Sequence, residues 1–518
     1  MQEIAEAMGR VREAEKPVLT FAIAYGDDHL HLASHASEVW VDPLGGAMPV
    51  GPGGSVLFYA ELLDRLNIKA KVYRVGEFKS AVEPYLLTSM SPQSRQNLEG
   101  LYGALWEEWK ANVKKARPDA QIDTVLRSQA GWVEEYNGDM AEASLGAGLV
   151  DTIGDQVAFG KRVAELVGED EWNEEPGAYA QTELGAFLAA HPAPTSGKTI
   201  AVVRVSGEIV DGNAGPGRAG GSRIERLLDK ALKDDVAGLV VRVNSPGGSV
   251  LASEQIRRAI ERYREKDIPV AVSFANVAAS GGYWVATAGD RIFAQPESVT
   301  GSIGVFAVLP TFEDAAREIG VTSEAVRTTP LSGQPDVIAG FNPEIDRILQ
   351  SSVSDVYADF IGIVSKARGM PADAVDRIAQ GRVWDGGTAR QINLVDQFGG
   401  MPEALAWVAG EADLEEGAWH ARYLAEAPSG TDALIRQFVT GATSQTEPQP
   451  GADMFALAAQ DRLRAVARIT SDIERLSGQK GIQAYCVQCP GSQSESTPME
   501  AQGRAIQTWS LLREMLGS

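Results

Sequence analysis

Short apolar runs alternate with longer amphipathic stretches over most of this chain. Residues up to Glu15 carry a helical pattern, and 18–24 read as a buried strand. Helical spacing returns over 30–36, followed by a strand over 38–41 and a glycine-rich loop over 45–54. The pattern then predicts an amphipathic helix over 55–66, a strand over 70–75, and helices over 93–117 and 157–167. Residues 189–197, with Pro192 and Pro194, break the periodicity and predict a linker. Beyond it, 199–205 and 238–243 are Val-rich strands, and 224–232 and 253–263 are amphipathic helices. Strands and helices alternating at these lengths predict a mostly parallel α/β sheet.

The pattern also repeats. The stretch 3–17 resembles 254–269, and each is followed by a strand, a helix, a strand and a loop. Asn67-Ile-Lys-Ala-Lys-Val-Tyr-Arg74 resembles Gly320-Val-Thr-Ser-Glu-Ala-Val-Arg327, at a similar offset (269 − 17 = 252, 320 − 67 = 253). Gly148-Leu-Val-Asp151 matches Asn393-Leu-Val-Asp396 at the end of each copy. Two tandem copies of one α/β unit are therefore expected. The first begins inside a helix that, in the second, follows two strands and a turn. Relative to a full duplication the chain reads as truncated at its N-terminus.

Candidate chemistry collects where strands pass into helices. The run from Val270 to Phe274 leads into Ala278-Ala-Ser-Gly-Gly282, after which the pattern turns helical. Small residues allow a tight turn there. A serine at such a turn has an exposed hydroxyl and a backbone N–H near a helix N-terminus, which suits a nucleophile. A helix cap with a packing constraint accounts for the same residues. Asn244-Ser-Pro-Gly-Gly-Ser249 makes a second such turn, able to hold an oxyanion on its N–H groups or to serve as a plain connection. In the repeat register Ser280 falls opposite Asp28, and Lys79 falls opposite Ser332. One half has the serine without the lysine, the other the lysine without the serine, so a site with one group from each half is expected. A serine hydroxyl needs an adjacent base. A lysine serves only when neutral, which burial among residues such as Phe78, Ala81 and Val82 favours. A solvated loop lysine is the alternative.

Composition narrows the field. The 518 residues are too many for one core. A formal net charge of −23 argues against nucleic acid and anionic lipid as direct partners. Two cysteines exclude a disulfide scaffold. No apolar run approaches the roughly 18 residues of a membrane span, and the first residues lack the basic start and apolar core of a secretory signal. His29, His31 and His35 form a cluster that no carboxylate or cysteine motif completes as a zinc site, so neither metal nor cofactor is expected. With only His191 and His420 besides, a Ser-His-Asp triad is poorly supplied, which favours lysine as base. Cys486-Val-Gln-Cys489 is a lone pair open to redox chemistry, zinc, a disulfide or inert thiols.

Four motifs taken together resemble a known family. The Ser-Pro-Gly-Gly-Ser turn, the Ala-Ala-Ser-Gly-Gly-Tyr-Trp segment, Thr300-Gly-Ser-Ile-Gly304 and Glu77-Phe-Lys-Ser-Ala-Val-Glu-Pro84 look like the signal peptide peptidase A family in its long, duplicated protease IV form. The resemblance covers roughly residues 1–411. It implies tandem ClpP/crotonase-like repeats: a truncated first repeat over 1–188 carrying the base, a second over 198–411 carrying the nucleophile, and a partly helical extension over 412–518. It also implies a Ser-Lys dyad, with Ser280 as nucleophile, Lys79 as general base and Ser302 orienting the amine. The oxyanion hole would draw on Gly247 or Gly248 of the Pro-Gly-Gly turn together with Gly281, the resemblance leaving open which glycine donates. Signal peptides and other hydrophobic or unfolded peptides would be the substrates. The expected assembly is a homotetramer at the periplasmic face of the bacterial inner membrane, held by an anchor that this chain lacks. A crotonase-like acyl-CoA enzyme and a non-catalytic scaffold for membrane proteins are the alternatives.

Overall fold

The computed structural model describes residues 1–425 apart from Pro216, and then 469, 472, 476, 481–486 and 489. Within the extension over 412–518 the sequence pattern predicts an amphipathic helix over 455–476 and a serine-rich stretch after Pro490; both lie almost wholly outside the described residues. The described chain forms two compact units. One holds Met1–Gly53 and Leu105–Pro194; the other holds Gly54–Ala104, Thr195–Ala425 and the described residues from 469 onward.

The first unit is built on three parallel strands, Leu19–Tyr25, Glu38–Ala47 and Thr152–Ile153. The helix Asp27–Ser34 follows the first strand directly. Leu30, Val39, Val41, Val113, Ile122 and Leu149 form the core. The strand at 38 runs six residues beyond the predicted 41, to Ala47, because Ala24 and Tyr25 continue the pairing onto Gly46 and Ala47 after a bulge.

The second unit repeats this arrangement inside a larger sheet. Strand Val270–Ala279 pairs in parallel with Arg291–Ala294, which pairs with Gln397–Phe398. Leu19 opposite Glu38 in one unit thus corresponds to Ala271 opposite Arg291 in the other, at the expected offset. The matched Leu-Val-Asp segments do the same work in each. Asp151 accepts from the Val39 N–H and pairs with Arg117; Asp396 accepts from the Ile292 N–H and pairs with Arg368. The tandem repeat is therefore real in topology. The similarity between 67–74 and 320–327 is not: Lys69–Val75 is a strand, whereas 321–327 is irregular and exposed.

The larger sheet runs Val383–Asp385, Val299–Gly301, Val270–Ala279, Gly238–Ser245, Lys198–Ser206, Trp419–Tyr423, all parallel except the first. Its strands are apolar on both faces, as a covered parallel sheet requires. Ala201, Val203 and Val241 face helices Gly221–Lys233 and Val250–Arg264, while Ile200, Val202 and Val240 face helix Met401–Glu411. A second sheet runs Lys69–Val75, Val305–Thr311, Gln483–Tyr485, Gly247–Ser249, Glu208–Val210, Arg218–Gly220. Its first strand comes from the first half of the sequence.

Candidate active site

Ser280 stands where strand Val270–Ala279 gives way to helix Gly281–Ala286. Its N–H donates to the Gly301 carbonyl (2.8 Å), extending the pairing of Ala279 with Gly301, while its own carbonyl accepts from Trp284 N–H (2.8 Å). Held from both sides, the residue adopts φ 55°, ψ −112°, a sparsely populated backbone state. The following glycines are required by space: a Cβ on Gly281 would lie 2.6 Å from Ser253 Oγ, and one on Gly282 would lie 2.8 Å from the Ser245 carbonyl oxygen.

Lys79 reaches the serine along the second sheet. Strand Lys69–Val75 runs antiparallel to Val305–Thr311 through seven pairs, ending with Val75 opposite Val305. Lys79 lies four residues past Val75 and Ser302 three residues before Val305, both beyond the same end of that ladder, so the pairing brings them together. The segment 380–382 closes the channel. Phe78 N–H donates to the Gln380 carbonyl (2.8 Å), Gly381 N–H to Ile303 (2.7 Å) and Ser302 N–H to Arg382 (2.6 Å). Gly381, at φ +79°, has room for no side chain, since a Cβ would lie 2.6–2.7 Å from the Lys79 backbone. The Arg382 guanidinium covers the Phe78 ring at 3.9 Å.

The two halves of the sequence thereby meet in one compact unit. Lys79 Nζ is 2.8 Å from Ser280 Oγ, 3.0 Å from Ser302 Oγ and 3.0 Å from the Ser302 carbonyl oxygen. Ser280 is 0% exposed, Lys79 1% and Ser302 2%. Burial pushes the Lys79 amine well below its ordinary pKa. The three oxygens fit the neutral amine: two N–H groups donate to Ser302, and the lone pair is left for the Ser280 hydroxyl. That arrangement can take a proton from the serine and so activate it for attack.

Gly247 and Gly281 face each other, a Cβ on Gly281 lying 3.1 Å from Gly247 Cα. Gly247 N–H is engaged by Ser245 Oγ (3.1 Å), and Gly248 packs against the Ile209 backbone. Tyr283 and Trp284 are core residues, bonded to the Leu394 carbonyl and to Glu254. In the first unit the turn equivalent to Ser280 belongs to Asp27–Ser34, where Asp27 accepts from Val50 and Gly51 N–H. His31 is buried beside His35, and burial pulls its pKa down to about 4. Among the described residues no three His, Cys, Asp or Glu side chains converge to hold a metal. Of the readings open to Cys486 and Cys489, the structure shows the disulfide.

Sequence reasoning missed Gly381, Arg382 and the strand Gln483–Tyr485, which borders the site. Gly381 and the Arg382 carbonyl act through backbone position, which leaves no side-chain signature, and the Arg382 guanidinium acts on a ring about 300 residues away. Tyr485 and Cys486 line a small cavity together with Phe78, Lys79, Ala81 and Ser302.

An α/β unit that buries a lysine amine against a serine hydroxyl carries the parts of a serine hydrolase. The chain belongs to peptidase family S49, which it matches over residues 10–169 and 262–415. It is 33% identical to Protease 4 of Salmonella typhi over 492 residues, 94% of this chain and 78% of that protein. Protease 4 of Haemophilus influenzae is 35% identical over 413 residues, 78% of this chain and 66% of that protein. A protein of Enterococcus faecium named as a signal peptide peptidase, SppA, is 36% identical over 177 residues, 34% of this chain and 50% of its own length. The chain is a serine peptidase of that family.

Proposed function

We propose that Ser280 is the nucleophile and Lys79 the general base of a Ser-Lys dyad that cleaves signal peptides and other hydrophobic or unfolded peptides. The observation that carries this reading is the 2.8 Å contact between Lys79 Nζ and Ser280 Oγ in a fully buried setting. The name of the Enterococcus faecium relative supports the substrate class. In the proposed reaction Lys79 takes the Ser280 proton as Oγ attacks the scissile carbonyl. The ammonium so formed is held by the carbonyl and hydroxyl of Ser302. With the Gly247 N–H held by Ser245 Oγ, the N–H groups of Gly248 and Gly281 receive the oxyanion, each such donor being worth roughly 2.7–4 kcal/mol in rate. Lys79 then gives its proton to the departing amine, and the same neutral lysine activates the water that hydrolyses the acyl-enzyme. The working form in this reading is a homotetramer at the periplasmic face of a bacterial inner membrane. Light scattering that returned the mass of one chain would remove the tetramer.

The test is a fluorophosphonate probe with a parallel peptide assay. Ser280→Ala is expected to abolish both labelling and turnover, and Lys79→Ala to reduce both steeply with the fold intact. Labelling that persists in Ser280→Ala would move the nucleophile elsewhere.

A further inference from the structure

The second sheet contains a strand from far along the chain. Gln483–Tyr485 lies between Gly247–Ser249 and Val305–Thr311, antiparallel to both. Gln483 sits opposite Ser249, Ala484 opposite Gly248 and Tyr485 opposite Gly247. The pairing continues past both ends: Val250 N–H donates to the Ile482 carbonyl (3.2 Å), and Cys486 N–H to the Pro246 carbonyl (2.8 Å). On one side is the glycine turn and on the other the strand that leads away from Ser302. Grooves that add an extended peptide as a strand read its main chain in this way.

Three observations place this strand at the reacting centre. A Cβ on Gly247 would lie 2.1 Å from the Ala484 carbonyl oxygen and one on Gly281 3.1 Å from it, so this carbonyl rests against both glycines. Tyr485 and Cys486 share a cavity with Lys79 and Ser302. Ser280 and Lys79 are sealed from solvent, although a peptidase acting on other chains must let a scissile bond reach its nucleophile. We propose that residues 481–486 occupy the peptide-binding cleft as a tethered substrate mimic, with Ala484 contributing the carbonyl that a substrate would present. This rests on the Ser280 peptidase reading and extends it to substrate choice and regulation.

The side chains then report the subsites. Ala484 is fully buried in the main core, where added side-chain volume is destabilising. Tyr485, on the other face of the strand, fills an apolar pocket with Tyr59, Leu63, Val82, Tyr85, Phe306 and Val308. The cleft accordingly selects a small residue before the scissile bond and a large aromatic or apolar residue after it. Other chains enter only when the tether leaves. The disulfide between Cys486 and Cys489 closes the tether just beyond the site, with both cysteines buried.

The experiment uses the full chain and two fluorogenic peptides, one containing Gly-Ile-Gln-Ala-Tyr-Ser and one with Ala and Tyr exchanged. Tyr485→Ala, which removes the anchoring ring, and Gln483→Pro, which removes a strand N–H, are each expected to raise kcat/KM about tenfold, the scale of one buried aromatic side chain. Cleavage is expected after Ala in the first peptide, about tenfold faster than any cleavage of the second. Variants that melt at the wild-type temperature yet turn over no faster would overturn the tether. If a variant fails to fold, the unmodified chain decides: equal rates on the two peptides, or cleavage at another bond, overturns the proposal. Turnover that survives Ser280→Ala would instead sink the peptidase reading, so the two failures are distinguishable.

Discussion

A buried ammonium without a counter-charge is unstable relative to the free amine, and Lys79 is in that position. Its Nζ is bonded to three oxygens, none of them a carboxylate, and burial alone lowers its pKa. In the proposed dyad the neutral amine is the active form, so kcat/KM is expected to fall about tenfold per pH unit on the acid side of that lowered pKa. Above it, the rate should be level through the range where a solvated lysine, with a pKa of about 10.4, would still be protonated. A pH–rate profile checks this, and an acid limb centred near the solvated value would contradict it. Gly381 sets the position of the amine. Gly381→Ala brings a Cβ to within 2.6–2.7 Å of the Lys79 backbone, and the lysine must shift. A displacement near 1 Å is expected to lower kcat about 100-fold, with circular dichroism unchanged; near-normal turnover would show that the channel yields. Ser280 and Lys79, the proposed nucleophile and base, were legible in the sequence because each has a reactive side chain inside a recognisable motif and each lacks a counterpart in the other repeat. Gly381 was not, because its contribution is an absent side chain opposite a partner about 300 residues away.

At the scale of elements, legibility followed periodicity. The Val-rich strands and the amphipathic helices of the second half lie where the pattern predicts them, within a few residues. The stretch 55–66 is predicted as one helix, yet only Ala60–Arg65 is helical. Tyr59 N–H donates to the Pro84 carbonyl, and Leu57 and Tyr59 pack with Val82 and Tyr85, so tertiary contacts override the local pattern. Gly247–Ser249 is a strand with two glycines in three residues, and nothing local marks it. It is a strand because a distant segment pairs with it. Another long-range device is Asn97. From the long helix its side chain accepts from Val383 N–H (2.9 Å) and donates to the Val383 carbonyl (2.8 Å), as a neighbouring strand would. The adjacent Arg382 carbonyl holds Ser302. Asn97→Ala leaves two buried backbone groups unpaired, and roughly 1–3 kcal/mol of stability is expected to be lost for each. Urea unfolding would measure this, and a fall in kcat beyond the loss of folded protein would tie Asn97 to the placement of Ser302. A change under about 0.5 kcal/mol, typical of an unremarkable surface site, would mean the pair is replaced by water.

Across the whole molecule, duplication kept the scaffold and divided the chemistry. Both units keep three parallel strands and the same clasp, an arginine and an aspartate that also caps a strand N–H. Only one unit contains the Ser280–Lys79 pair, and the segment Gly54–Ala104 that supplies Lys79 belongs to that unit although it precedes the linker. The same clasp should therefore have different consequences in the two copies. Asp151→Asn and Asp396→Asn each weaken a charge-assisted pair, a loss of roughly 1.5–3 kcal/mol. Asp396→Asn is expected to lower the temperature at which fluorophosphonate labelling of Ser280 is lost. Asp151→Asn is expected to lower the first calorimetric transition and leave that labelling temperature unchanged, because the clasp it breaks holds a unit without the serine. Calorimetry and temperature-resolved labelling of the two variants separate the cases. Equal shifts in labelling would mean that the two units unfold as one cooperative body, and that the first copy is needed to keep the dyad assembled rather than merely descended from the same ancestor.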